Sequence, residues 1–159
     1  MKVCAIVGSG NRKAPEAYKN PGFKNSLYSR LESLILGENV TYFLSGMSVG
    51  TEMLASEIIL ELKERYPHIS LESVIPYENQ ASRWNEELRD RYFKIAACCD
   101  RETMLQKHYS PDCFNRQDLY MIEKADIIIS AWIQPTTRKD RDLSFAQKLG
   151  KRVIDITYQ

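Results

Sequence analysis

"YFLSGMSVGTEMLASEIILELKERY", residues 42–66, is the stretch that decides the fold. Its apolar run stops at Ser45, glycines follow at Gly46 and Gly50, and a helical pattern begins at once. Leu54, Ile58 and Leu62 fall four apart on one stripe, while Glu57, Glu61, Lys63 and Glu64 point elsewhere. A strand that turns through glycines straight into an amphipathic helix is one half of a β–α unit.

The rest of the chain repeats the theme. "KVCAIVG" (2–8), "VTYFLS" (40–45), "LESVIPY" (71–77), "ADIIISAWI" (125–133) and "RVIDIT" (152–157) predict strands from their β-branched and aromatic content, and "ETML" (102–105) predicts a weaker strand at an edge. "DIIISAWI" is apolar without alternation, as a strand covered on both faces should be. Helical spacing recurs in 52–66, in 82–97 with Trp84, Leu88, Tyr92 and Ile95 on one face, in 111–125 with Asp112 as N-cap, and in 141–151 with Gly150 at the C-terminus. Alternating strands and helices imply an α/β fold, a three-layer sandwich with a mostly parallel central sheet, here read as one domain over 1–159. In such sheets ligands bind beyond the carboxyl ends of the strands.

Composition narrows the function classes. The 22 basic residues balance 21 acidic ones, so the charge gives no support to a general nucleic-acid or membrane-surface role, although a local basic loop stays open, and nucleic acid is not the expected partner. The N-terminal apolar run of about six residues is shorter than a signal-peptide core, and no segment approaches the roughly 18 apolar residues of a span. Cys4, Cys98, Cys99 and Cys113 lack metal or redox spacing and are read as reduced thiols of a cytoplasmic protein. No metal or other cofactor is expected.

Four loops could carry chemistry. In "GSGNRKAPEAYKNPGF" (8–23), Gly8 and Gly10 let the backbone approach an anion and Arg12 adds fixed charge; a flexible turn with a solvated Arg is the plain alternative. In the opening stretch, Gly50, Thr51 and Glu52 start a helix whose N-terminus favours phosphate, although an acid there also simply complements the dipole. No Lys follows Gly50, which excludes the nucleotide-triphosphate P-loop. "IPYENQASRWNEELRDRY" (75–92) offers Glu78, Asn79 and Gln80 beside Trp84, suited to a base or ribose or, equally, to a core aromatic. "WIQPTTRKDRD" (132–142) is basic and hydroxyl-rich and reads first as a solvated charge run. His68 and His108 read as surface residues without a partner.

Together, "FLSGMSVGTEMLASEIILELKERYPHISL", "VIPYENQASRWNEELRDRY", "YSPDCF…YMIEKADIIISAW" and "AQKLGKRVIDI" resemble the SLOG superfamily in its YpsA-like branch. The resemblance implies a Rossmann-like fold and a nucleotide or nucleotide-derived small ligand, bound or sensed at the carboxyl edge of the sheet. The superfamily's relatives include LOG phosphoribohydrolases and DprA proteins, which bind single-stranded DNA. On that reading Gly8, Ser9, Gly10 and Arg12 approach the ligand from one side, Ser45, Gly46, Gly50 and Thr51 hold phosphate, Gln80 and Trp84 meet base or sugar, and Arg138 stands in for a lost Gly-Gly-Thr loop. An N-glycosidic-bond hydrolase or deoxyribosyltransferase-like enzyme, with Glu52 as its catalytic carboxylate and Glu78 as a weaker second, is the alternative. Single-stranded nucleic-acid binding through the 138–141 basic run is the third. The resemblance also allows a homodimer.

Overall fold

A computed structural model describes residues 1–12, 18–133 and 136–157. Six strands and five helices follow in the order β1 (Lys2–Gly8), α1 (Pro21–Glu38), β2 (Val40–Gly46), α2 (Thr51–Arg65), β3 (Ser70–Ile75), α3 (Glu86–Cys98), β4 (Arg101–Met104), α4 (Cys113–Lys124), β5 (Ile127–Trp132), α5 (Thr137–Lys148) and β6 (Arg152–Thr157). The sheet order is β4-β3-β2-β1-β5-β6 with every pairing parallel. The chain steps outward from β1 to β4, then crosses back to place β5 on the other side of β1. The arrangement is Rossmann-like, and the reversal at β1 is where such sheets open a crevice.

Both faces of the sheet are covered, which explains the unalternating apolar runs. Cys4 and Ile6 of β1 join Leu27, Leu31, Ile58, Leu62 and Ile95 in one core, under α1, α2 and α3. Val3, Ala5 and Val7 point the other way, into a second core with Met121, Ile122 and Ala146 of α4 and α5. No described helix is long and apolar enough to cross a membrane.

Three helix boundaries differ from the expectation, each for a local reason. Helix α1 was not expected at all. Asn20 caps it by accepting the Phe23 N–H at 3.1 Å, Pro21 supplies a preset φ at its start, and Asn39 ends it in the left-handed region at φ 58°. Helix α3 starts at Glu86 rather than Ser82, because Asn85 accepts the Leu88 N–H at 2.9 Å. Trp84 therefore sits in the turn before the helix, packed edge-on against Tyr92 at 5.5 Å, and not on the helix. Helix α5 starts at Thr137, with Thr136 accepting the Lys139 N–H at 3.1 Å. The basic run 138–141 is thus a helical first turn; the neighbouring positions 134 and 135 lie outside the described residues, as do 13–17 of the first loop.

Candidate functional site

The glycine turns at the carboxyl edge hold each other. Gly10 and Gly50 form an antiparallel bridge, flanked by Asn11 N–H to Val49 O at 2.9 Å and Thr51 N–H to Ser9 O at 3.0 Å. Gly50 has φ +131°, and a side chain there would meet Ser9 O at 2.6 Å and Gly10 Cα at 2.8 Å. Its freedom serves loop-to-loop contact. The Thr51 N–H at the start of α2 is spent on Ser9, and Met53 N–H on Ser48 O. Ser45 is fully buried and donates to Glu52 O, while Thr51 donates to Ala131 O. Ser9 N–H also bonds Ala131 O, and Ser9 Oγ accepts the Ile133 N–H.

Beneath that bridge lies a buried charge cluster. The Glu52 side chain folds back over β2, so that a Cβ on Gly46 would fall 1.7 Å from Glu52 Oε2 and 2.6 Å from Gln117 Nε2. Arg138 of α5 grips Asp118 of α4 through Nε at 2.6 Å and Nη2 at 2.8 Å, and reaches Glu52 Oε1 at 3.4 Å. Its guanidinium also lies over Trp132 and Phe114, 5.6 and 5.9 Å from the ring centres. Glu52, Asp118 and Asp142 are all essentially inaccessible to solvent. Neither oxygen of Asp142 receives a hydrogen bond, although Arg141 Nε lies 3.9 Å away.

Three carboxyls share one central guanidinium, and the titration behaviour follows. Burial pushes Glu52 up to about 7, with Arg138 pulling down and Asp118 pushing further up. Burial and the facing Asp118 push Asp142 up to about 9. Burial alone would lower Arg138, but Asp118, Glu52 and Asp142 outweigh it and hold it above its ordinary value. A carboxyl whose pKa is raised on folding contributes stability below its unfolded pKa and loses it as pH climbs through the folded one. Glu52→Gln should therefore gain on the wild type between about pH 4.5 and pH 7 and be more stable above pH 7, by on the order of 1–3 kcal/mol. Urea melts of both proteins at acid and alkaline pH check this; an equal offset at every pH would contradict it.

A groove of about 630 Å³ opens on the solvent side of the same edge. Its wall comes from four successive loops: Gly10 to Arg12 after β1, Ser48 and Val49 after β2, Tyr77 and Asn79 to Trp84 after β3, and Lys107 to Tyr109 after β4. Phe114 of α4 closes one end. Tyr77 meets Tyr109 and Phe114 edge-on at 5.4 and 6.5 Å, leaving Tyr109 61% exposed. Arg12, Arg83, Lys107 and His108 are exposed, and no carboxylate lines the groove among the described residues. Gln80 is buried in the floor, its Nε2 donating to Ser48 Oγ at 3.3 Å.

Of the residues singled out in the sequence, Gly10, Arg12, Gln80 and Trp84 line this groove. Gly8, Ser9, Ser45, Gly46, Gly50 and Thr51 do not; their polar groups or close contacts are internal. Arg138 is committed to Asp118, and Lys139 pairs with Asp155 at 3.5 Å, so these two cations of the 138–141 run are balanced. Glu52 is 1% exposed and faces Arg138 rather than the groove. The sequence reading missed Tyr77, Lys107, Tyr109 and Phe114, and set His108 aside. No group of three His, Cys, Asp or Glu suited to a metal occurs among the described residues.

A family model described as YspA SLOG family (YpsA) matches residues 15–143. A UPF0398 protein of Brevibacillus brevis is 39% identical over 142 residues, covering 86% of this chain and 73% of that one. A UPF0398 protein of Bacillus pumilus is 32% identical over 111 residues, covering 69% of this chain, which spans 59% of that relative. Among solved structures, DNA processing protein A from Helicobacter pylori, reported for its unique single-stranded DNA binding mode, has a TM-score of 0.66 at 16% identity. It covers 99% of this chain, which spans 66% of that protein. These findings correct two expectations. A sensor of a nucleotide-derived small ligand, with nucleic acid disfavoured, gives way because a structural neighbour is reported for single-stranded DNA binding. A near-zero net charge says nothing of how charge is distributed, and the groove wall gathers cations with no carboxylate among its described lining.

Proposed function

The chain belongs to the YspA SLOG family, and from that premise we propose that it binds single-stranded nucleic acid along the groove at the carboxyl edge of its sheet. The observation that carries the reading is the groove wall, with Arg12, Arg83 and Lys107 beside Tyr77, Trp84, Tyr109 and Phe114 and no carboxylate among its described lining. Cations that track a phosphate backbone next to aromatic faces that take unstacked bases are the two elements such binding needs. The fold shared with a single-stranded DNA-binding protein is consistent with it. In this arrangement Arg12, Arg83 and Lys107 contact phosphates, Tyr109 and Trp84 offer stacking faces, and Asn79 and Gln80 meet base edges. Arg138 and the glycine turns act from behind, by holding the loops in place.

A duplex keeps its bases stacked and cannot present them to these rings, so the groove should prefer a single strand. Fluorescence anisotropy with a labelled oligothymidylate of about twelve nucleotides should show saturable binding, about tenfold or more tighter than for a duplex of the same length. Equal or tighter duplex binding would contradict the proposal.

A further inference from the structure

The buried cluster touches the groove at two points. Glu52 Oε2 accepts the Ser48 N–H at 3.4 Å, and Ser48 Oγ in turn accepts from Gln80, so the carboxyl is joined to two residues of the groove floor. On the other side, the Arg138 guanidinium that Glu52 helps to hold lies over Phe114, at the end of the groove. A change of charge on Glu52 therefore acts on the groove through both its field and its floor.

The charge balance singles out Glu52 as the variable member. Asp118 takes two hydrogen bonds from Arg138 and is its direct partner. Asp142 has no hydrogen-bond donor at either oxygen and faces Asp118, so a proton on Asp142 supplies the missing donor. Glu52 has only long contacts, one to a guanidinium already engaged and one from the Ser48 N–H, in a site without solvent. We propose that Glu52 is a positioning residue that links the groove to proton concentration: its neutral form favours binding of the single strand, and its ionisation weakens it. This rests on the reading of the groove given above. Burial places the transition near pH 7, since it raises Glu52 to about 7. Ionisation puts one buried negative charge beneath an anionic ligand, enough to weaken binding by about five- to tenfold. By linkage, strand binding must raise the proton affinity of Glu52 and take up part of a proton near neutral pH.

The groups facing Glu52 are Asp118 from α4 and Arg138 from α5, with Asp142 and Arg141 behind them. On the groove side stand Arg12, Arg83, Lys107 and His108. The experiment uses the wild-type protein. Its affinity for the labelled oligothymidylate, measured from about pH 5.5 to about pH 8.5 at constant ionic strength, should fall about five- to tenfold with a midpoint near 7. Glu52→Gln should abolish that step. A step that persists in the folded Glu52→Gln protein overturns the inference. Calorimetric titration of the wild-type protein near pH 7, in two buffers of different ionisation enthalpy, is independent of how Glu52→Gln folds. It should register net proton uptake on binding. Salt-dependent binding with a flat pH profile and no proton uptake overturns the inference and leaves the groove reading standing. No binding at any pH overturns the groove reading itself.

Discussion

Asp118→Ala is expected to destabilise the protein by about 3–5 kcal/mol, the range for stripping one partner from a buried ion pair. The substitution removes both short hydrogen bonds to Arg138 and leaves its guanidinium only the 3.4 Å contact to Glu52. Arg138 cannot swing into water without abandoning Trp132 and Phe114, and it is the link that ties the first turn of α5 to α4 and α2. Urea denaturation measures the loss. Asp118→Ala with Arg138→Met should recover much of it, because a pair replaced by apolar groups leaves no stranded charge. If Asp118→Ala melts like the wild type, the cluster does not hold these helices together.

The second large effect is on binding. Arg83→Glu with Lys107→Glu should reduce affinity for single-stranded oligonucleotide by on the order of a hundredfold, since two phosphate contacts become two repulsions. Both side chains are exposed and form no ion pair among the described residues. Their replacement should therefore change stability by no more than about 0.5 kcal/mol. A thermal melt beside the anisotropy titration separates the two effects. Retained affinity in the folded double variant would place the strand elsewhere on the surface.

The fold was legible where one residue pattern serves one environment. The runs in β1 and β5 are almost wholly apolar because helical layers cover both their faces, and their positions, like those of β2 and β6, could be read almost to the residue. Helix α1 escaped because Leu36, 63% exposed, blurs the stripe of Phe23, Leu27, Leu31, Leu34 and Ile35. The parallel pairing of β1 with β2 nonetheless demands a crossover of that length. The site was legible by half. Searching beyond the carboxyl ends of the strands led to the 8–12 and 75–84 loops, which line the groove. The same search was not applied after β4, whose exposed "RETM" is a faint strand, and so Lys107, His108 and Tyr109 were passed over.

Glu52 shows what no local reading could supply. A glutamate in the first turn of a helix after a glycine turn looks aimed at a ligand. Its direction is decided by Gln117 and Asp118 on α4 and Arg138 on α5, far along the chain, and by the space that Gly46 leaves open. Phosphate-loop appearance and loop-bridging function use the same glycines. Only the antiparallel contact of Gly10 with Gly50 tells them apart.

The central claim is that this groove takes a single strand by its phosphates. It is tested most directly by the salt dependence of oligothymidylate binding. Three phosphate contacts, from Arg12, Arg83 and Lys107, predict that log K falls against log salt with a slope of about −2. Affinity that does not change with salt, or no binding even at low salt, would contradict it.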